Sequence, residues 1–155
     1  IMRLLDKYIA EAEKEDEENR SRYYVLGDKE RLGADLKAKC EYLEDFTKNN
    51  PYVVNIALNY GGRDEIVRAA NRLIAEGKTE ITEEDINSHL FTAHSPDPDL
   101  IVRSGGEYRL SNFLMWQSAY SELYFCNTLW PDMGDKELRE AIVEFSKRKR
   151  RFGGV

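Results

Sequence analysis

Two arginines and a hydroxyl stand within nine residues of one another, at Arg103, Arg109 and Ser111, with Gly105 and Gly106 between them. Arginine presents a planar fork of donors that matches phosphate oxygens, and glycines let a backbone turn tightly and come close to a ligand. The chemistry this combination suits is the binding of an anion, a phosphate or diphosphate. A plainer reading exists: the glycines make a turn, and the arginines pair with Glu107 or other surface carboxylates. A lone Gly-Gly flanked by arginines is a weak signal, so spacing alone leaves both readings open.

The elements that must position these groups are legible nearby. Leu100, Ile101 and Val102 form a short apolar run between Asp99 and the glycines, the pattern of a buried strand, so Arg103 sits where that strand ends. Ligands of open α/β sheets collect outside the carboxyl ends of strands. A second run, residues 52–58, ends in Asn59-Tyr60-Gly61-Gly62-Arg63 and leads into a helical stripe of Ile66, Val67, Ala70, Leu73 and Ile74 that stops at Gly77. This is a βα unit, and with parallel strands its turn falls on the same side of the sheet as the Arg103 loop. Arg63 is then a second candidate cation, with a structural ion pair near the helix start as the alternative. Glu122 stands among Leu123, Tyr124, Phe125 and Trp130. A carboxylate there is costly unless it is paired or holds a cation, which makes Glu122 a candidate metal ligand or the partner of an arginine.

Around these, Leu5, Tyr8, Ile9 and Ala12 predict a first amphipathic helix closed by a solvated acidic run, and residues 23–27 predict a strand. Leu32, Leu36, Cys40, Leu43 and Thr47 line one helical face that Asn49-Asn50-Pro51 ends, with Cys40 in the buried stripe. Thr82 reads as the N-cap of a short helix with Asp85 in its first turn. Residues 113–119 read as a buried helix, and Asp135 as the cap of a last helix carrying Leu138, Ala141, Ile142 and Phe145. A basic run, residues 147–151, follows as a solvated helix end.

Composition bounds the rest. The 155 residues suit a single domain spanning 1–155; 34% are charged and 41% apolar, as in soluble globular proteins. A balance of 23 basic against 29 acidic side chains, net −6, disfavours bulk nucleic-acid binding. Cys40 and Cys126 offer neither a disulfide framework nor a zinc site, and His89 and His94 have no partner at metal spacing. The cytoplasm is the default location, and with no apolar run of membrane-spanning length, membrane contact is peripheral at most. Ile1 opens on a pattern already helical with no capping residue before it, so the chain reads as beginning inside an element.

The ordered run 103–117, Arg-Ser-Gly-Gly-Glu-Tyr-Arg-Leu-Ser-Asn-Phe-Leu-Met-Trp-Gln, resembles the signature of the cis-prenyltransferases, whose bacterial representative is undecaprenyl diphosphate synthase, also called isoprenyl transferase. Tyr120, Glu122, Tyr124, Phe125 and Leu129-Trp130-Pro131-Asp132 continue the resemblance, which extends to residues 58–63 and 148–153 and so covers essentially the whole chain. It implies an α/β fold with a parallel sheet and helices on both faces, of about twice as many strands as the three read here, the N-terminal strands being missing. The activity it implies is condensation of isopentenyl diphosphate with an allylic diphosphate such as farnesyl diphosphate, giving a cis-polyprenyl diphosphate such as undecaprenyl diphosphate, with Mg²⁺ as cofactor.

By position, Arg103, Arg109 and Ser111 would hold the diphosphate of isopentenyl diphosphate, and Glu122 would match the acidic residue associated with Mg²⁺. Arg151, Phe152 and Gly153 would belong to a tail that crosses a homodimer to the partner's active site, with residues 113–125 at the dimer interface. Membrane association would come through the lipid product. The departure lies in the Asp-Gly-Asn-x-Arg-Trp stretch, which carries the catalytic aspartate of that family and does not occur in this sequence. The expectation is the C-terminal portion of a cis-prenyltransferase, its catalytic Asp upstream of Ile1 and the portion inactive alone. The alternative is a non-catalytic partner subunit of a heteromeric enzyme.

Overall fold

Of the apolar stripes in the first half of the chain, the one through Cys40 and Leu43 buries most completely, with no exposed surface at either residue. It belongs to helix α2 (Ala34–Phe46), which packs with Leu5 of α1 (Met2–Ala12) and with Tyr23 and Val25 of strand β1 (Ser21–Leu26) in one core cluster. The molecule is seen in a computed structural model that describes residues 2–14 and 20–149. The chain forms two compact units, residues 1–95 and 96–155.

In the first unit β1 pairs in parallel with β2 (Tyr52–Ala57), Ser21 opposite Tyr52 through Leu26 opposite Ala57. Its other edge is closed by side chains of the helix that follows it. Thr47 Oγ1 accepts from the Tyr23 N–H at 3.0 Å, and Glu44 Oε1 accepts from the Val25 N–H at 2.9 Å. Unpaired strand donors are costly when buried and adhesive when exposed, so these two side chains do for β1 what another strand would do. Thr47 is itself fully buried and donates to the Leu43 carbonyl at 2.7 Å, while Lys29 brings a countercharge to Glu44 at 2.6 Å. On β2, by contrast, Tyr52, Val53 and Val54 are exposed.

The turn after β2 packs against Gly27, whose φ is +125°; a Cβ there would lie 2.1 Å from the Leu58 carbonyl oxygen, so only glycine fits. Helix α3 (Gly62–Ala75) starts directly on the second glycine of the turn. It ends where expected, at Gly77: the Gly77 N–H reaches the Ile74 carbonyl and the Lys78 N–H the Leu73 carbonyl. The Glu65 carboxylate, 1% exposed, accepts from the Tyr60 hydroxyl and from the Phe91 N–H, tying the turn to the segment after α4 (Glu83–His89). Thr82 is the N-cap of α4, and Thr82 and Asp85 exchange side chain and backbone bonds in a capping box.

The second unit holds a strand that sequence pattern missed. Besides β3 (Leu100–Arg103) there is β4 (Glu122–Phe125), parallel to it, with Leu100 opposite Glu122 and Arg103 opposite Phe125. The expected buried helix over residues 113–119 is absent. That stretch is a series of turns in which Phe113 and Met115 are exposed and Gln117 alone is buried. Its cause lies around its start: Ser111, Asn112 and Leu114 have φ of 50°, 65° and 44°, left-handed values that a right-handed helix cannot pass through. The last helix, α5 (Asp135–Lys147), is capped by Gly134 rather than Asp135, with Glu137 accepting from the Gly134 N–H at 3.0 Å. Of its residues only Ala141 is fully buried, while Leu138, Ile142 and Val143 are exposed. Arg151, Phe152 and Gly153 lie outside the described residues. Among the described residues no helix is long and apolar enough to cross a membrane.

Two outcomes follow from the α4 cap. Thr82→Ala should lower stability by about 1 kcal/mol in urea unfolding, the usual worth of an N-cap oxygen. Lys78, and then the Thr82 backbone and hydroxyl, hold the Asp85 carboxyl at about 2, below its ordinary 3.8. The unfolded chain therefore binds the proton first as pH falls, so this contribution is complete above 3.8 and is lost toward about 2. Asp85→Asn should remove that part of the acid dependence, and an unchanged acid limb would show that the cap carries none of it.

Candidate functional site

Arg103 is the last residue of β3, and the loop beyond it folds back onto its guanidinium. Arg103 Nη1 donates to Ser111 Oγ at 3.0 Å and also to the Arg109 carbonyl. The structure thus brings together Arg103 and Ser111, two of the residues expected to bind an anion. A cleft of about 280 Å³ opens beside them, lined by Ile101, Val102, Arg103, Leu110, Ser111 and Phe113. One cation and one hydroxyl against an otherwise apolar wall suit a ligand with an anionic head and a hydrocarbon body.

The glycines act differently from the expectation that their N–H groups would face a ligand. Gly105 and Gly106 have φ of +87° and +72°, and their N–H groups donate to the Thr128 and Cys126 carbonyls at 2.8 and 2.9 Å. They form a turn fastened to the segment after β4, so these two N–H groups have backbone partners. Arg109 is ion-paired with Glu107, both well exposed, as the plainer reading expects for this arginine. An exposed pair of this kind is worth about 0–1 kcal/mol and yields readily to a stronger anion.

Glu122 is elsewhere. It opens β4 beside Leu100, three register steps from Arg103, about 10 Å along the strand at 3.3 Å per residue. Its Oε2 accepts from Arg148 Nη1 at 2.8 Å, and the same Nη1 donates to the Leu123 carbonyl at 3.0 Å. Arg63 is an exposed residue in the first turn of α3, in the first unit.

The Mg²⁺ implied by the resemblance can be tested against these donors. Magnesium takes an octahedron of oxygens, with one or two carboxylates and the substrate's phosphates among them. Among the described residues no three His, Cys, Asp or Glu side chains come together to hold a metal, and Glu122 is committed to a guanidinium. Glu122 is one carboxylate of the kind such an ion would share with substrate phosphates, here paired with Arg148.

Sequence pattern missed the left-handed run at residues 111–114, Arg148, and the carbonyls that hold the glycines. Asn112 was the one available signal, since asparagine tolerates left-handed backbone better than most residues. Left-handed Ser111 and Leu114 have no such signature, and strain of this sort gathers at ligand-binding loops.

Comparison with known proteins gives the family. The Prenyltransf family model, described as undecaprenyl diphosphate synthase, matches residues 1–153. An isoprenyl transferase of Fusobacterium nucleatum is 49% identical over 156 residues, covering 100% of this chain and 67% of that protein. An isoprenyl transferase of Neisseria meningitidis is 50% identical over 137 residues, covering 88% of this chain and 55% of that protein. Among solved structures, a probable undecaprenyl diphosphate synthase of Campylobacter jejuni superposes with a TM-score of 0.86 at 40% identity, over 99% of this chain and 73% of its own. Lavandulyl diphosphate synthase of Lavandula x intermedia, in complex with dimethylallyl diphosphate, gives 0.89 at 32% identity, over 99% and 70%. The chain thus spans between about half and two thirds of the curated relatives' length, and it belongs to the undecaprenyl diphosphate synthase family of cis-prenyltransferases.

Proposed function

We propose that this chain carries the isopentenyl diphosphate half-site of a cis-prenyl chain-elongating transferase. The observation that carries the reading is Arg103 at the carboxyl end of β3, bonded to Ser111 Oγ beside an apolar cleft, with Arg109 on the same loop. Arg103 and Arg109 would each exchange an internal partner for diphosphate oxygens, Ser111 would donate its hydroxyl, and the apolar wall would take the isoprene unit. Charge-assisted bonds from guanidinium to phosphate are about twice as strong as neutral ones, so the exchange favours the ligand. Family membership supports the same substrate class.

In the intact protein the second substrate would be an allylic diphosphate such as farnesyl diphosphate. Its site, the catalytic aspartate and a homodimer partner are parts of the proposal that draw on the resemblance. One diphosphate site without the other cannot bring two reactants together, so the 155-residue chain should bind without turning over. The alternative reading, a non-catalytic partner subunit, has less support, because a scaffold has no need for Arg103, Arg109 and Ser111 on one loop.

Calorimetric titration of the chain with isopentenyl diphosphate, and separately with inorganic pyrophosphate, tests the reading. Arg103→Gln should weaken both by roughly thirtyfold or more, the cost of a lost charge-assisted anion contact. Arg109→Lys should weaken both by about tenfold, because an ammonium cannot reproduce the fork. Binding indifferent to both substitutions would remove this loop from the site. Prenyl transfer by the unaccompanied chain would overturn the half-site.

A further inference from the structure

We propose that Arg22, Tyr24, Asn55 and His94 form an acid-released latch that fastens the last residues of the first unit onto the β1–β2 sheet. Arg22 and Tyr24 lie two apart on β1 and so share a face, and Asn55 of β2 stands opposite Tyr24 in the register. The segment after α4 folds onto this patch. The His94 imidazole stacks on the Tyr24 ring, centroids 3.5 Å apart and planes at 22°, and its Nε2–H donates to Asn55 Oδ1 at 2.8 Å. The same amide donates from Nδ2 to Ser95 Oγ at 3.0 Å, which leaves its oxygen to the imidazole and so selects the tautomer protonated at Nε2. At the other end of the segment Glu65 accepts from the Phe91 N–H at 2.7 Å, so residues 91–95 are tied down at both ends.

The Tyr24 ring is shared between two groups, and that sharing makes the latch sensitive to acid. The Arg22 guanidinium lies over the ring with its central carbon 4.7 Å from the centroid, a cation–π contact. A neutral imidazole is compatible with that neighbour, whereas an imidazolium brings a second positive charge to a ring that already holds one. Glu44 of α2 faces His94 with the opposite effect, but its carboxylate is engaged by Lys29 and by the Val25 N–H. Burial of the stacked ring, then the Arg22 charge, holds the His94 pKa below its ordinary 6.5, with Glu44 opposing. The residue as a whole is exposed, so a proton reaches it without unfolding. As pH falls the opened segment binds that proton first, so the latch is at full strength above 6.5 and weakens below it. All four residues lie in the first unit, and the latch does not draw on the half-site reading.

The test is NMR on the chain as it is. The imidazole C–H signals of His94, assigned by their loss in His94→Gln, should titrate with a midpoint below the ordinary histidine value. Arg22→Gln and Tyr24→Leu should each move that midpoint up. Asn55→Asp should move it up as well and reverse the acid response, since a carboxylate there pairs with the imidazolium. Amide exchange of Ala93 and Ser95, whose N–H groups donate to the Leu90 and Thr92 carbonyls, reads the segment itself. Corrected for the intrinsic rate, it should quicken between about pH 7.5 and about pH 5.5 in the wild type, lose that dependence in His94→Gln, and slow toward acid in Asn55→Asp. At neutral pH Tyr24→Leu should quicken it about fivefold, the worth of one ring pair. His94→Gln, a change at an exposed residue, decides by itself if Tyr24→Leu does not fold. A wild-type midpoint at or above the ordinary value, a midpoint unmoved by Arg22→Gln, or exchange that keeps its pH dependence in His94→Gln would overturn the latch.

Discussion

Parallel pairing of β3 and β4 decides where every charged group of the second unit can act. Because the two strands run the same way, their carboxyl ends emerge together, and the loops after Arg103 and after Phe125 become neighbours. That adjacency lets the Cys126 and Thr128 carbonyls take the N–H groups of Gly106 and Gly105 and hold the loop in its tight turn. The same register sends Glu122 to the opposite end of the ladder. An antiparallel pair would have put Glu122 beside Arg103 and made a carboxylate its neutralising partner. The parallel one leaves Arg103 with uncharged acceptors, Ser111 Oγ and the Arg109 carbonyl, and so with its positive charge available to an anion.

Both units solve the problem of a strand edge in a similar way. The Tyr23 and Val25 N–H groups of β1 are taken by Thr47 and Glu44, and the Leu123 carbonyl of β4 is taken by Arg148. In each case a group at or near the end of the following helix supplies the bond, which closes the edge and fixes the helix to its strand at once. A parallel two-stranded sheet has little stability of its own, since such sheets depend on being covered. Polar ties from helix to strand therefore do part of the work that buried area does in a larger sheet.

What could be read from sequence follows the range of the interactions involved. Local signals carried much of it: Cys40 and Leu43 are fully buried, Gly77 closed α3, and Thr82 with Asp85 built the expected box, although Val67 and Ile74 of the expected α3 stripe are exposed. Each depends on neighbours within a turn or two. β4 escaped because four residues, Glu-Leu-Tyr-Phe, lack an alternation to detect, and its existence depends on β3, about twenty residues earlier. The apolar run 113–119 looked helical because composition is blind to backbone sign, and three left-handed residues were enough to prevent it. At the site, Arg103 and Ser111 were legible as a pair, whereas the role of the glycine N–H groups and the partner of Glu122 were set by elements remote in sequence.

In the proposed half-site the Arg103 and Arg109 side chains already have partners within the loop, and this is compatible with the binding proposed for them. A chain of net charge −6 offers no general attraction to a diphosphate, so local cations must overcome a repulsive background. Free guanidinium groups would pay in conformational entropy each time they converged on a ligand. Here Arg103 is already ordered by a hydroxyl and a carbonyl, and Arg109 is held at the loop tip by an exposed carboxylate. Bonds to neutral oxygens and a solvent-screened ion pair are weaker than guanidinium–phosphate bonds, so they orient the arginines without competing strongly for them. Left-handed Ser111 and Leu114 add strain that only a folded loop can sustain, which keeps the hydroxyl beside the guanidinium before any ligand arrives. On the proposed half-site reading, the internal contacts would preorganise the site, and the ordering cost would be met in folding instead of in binding.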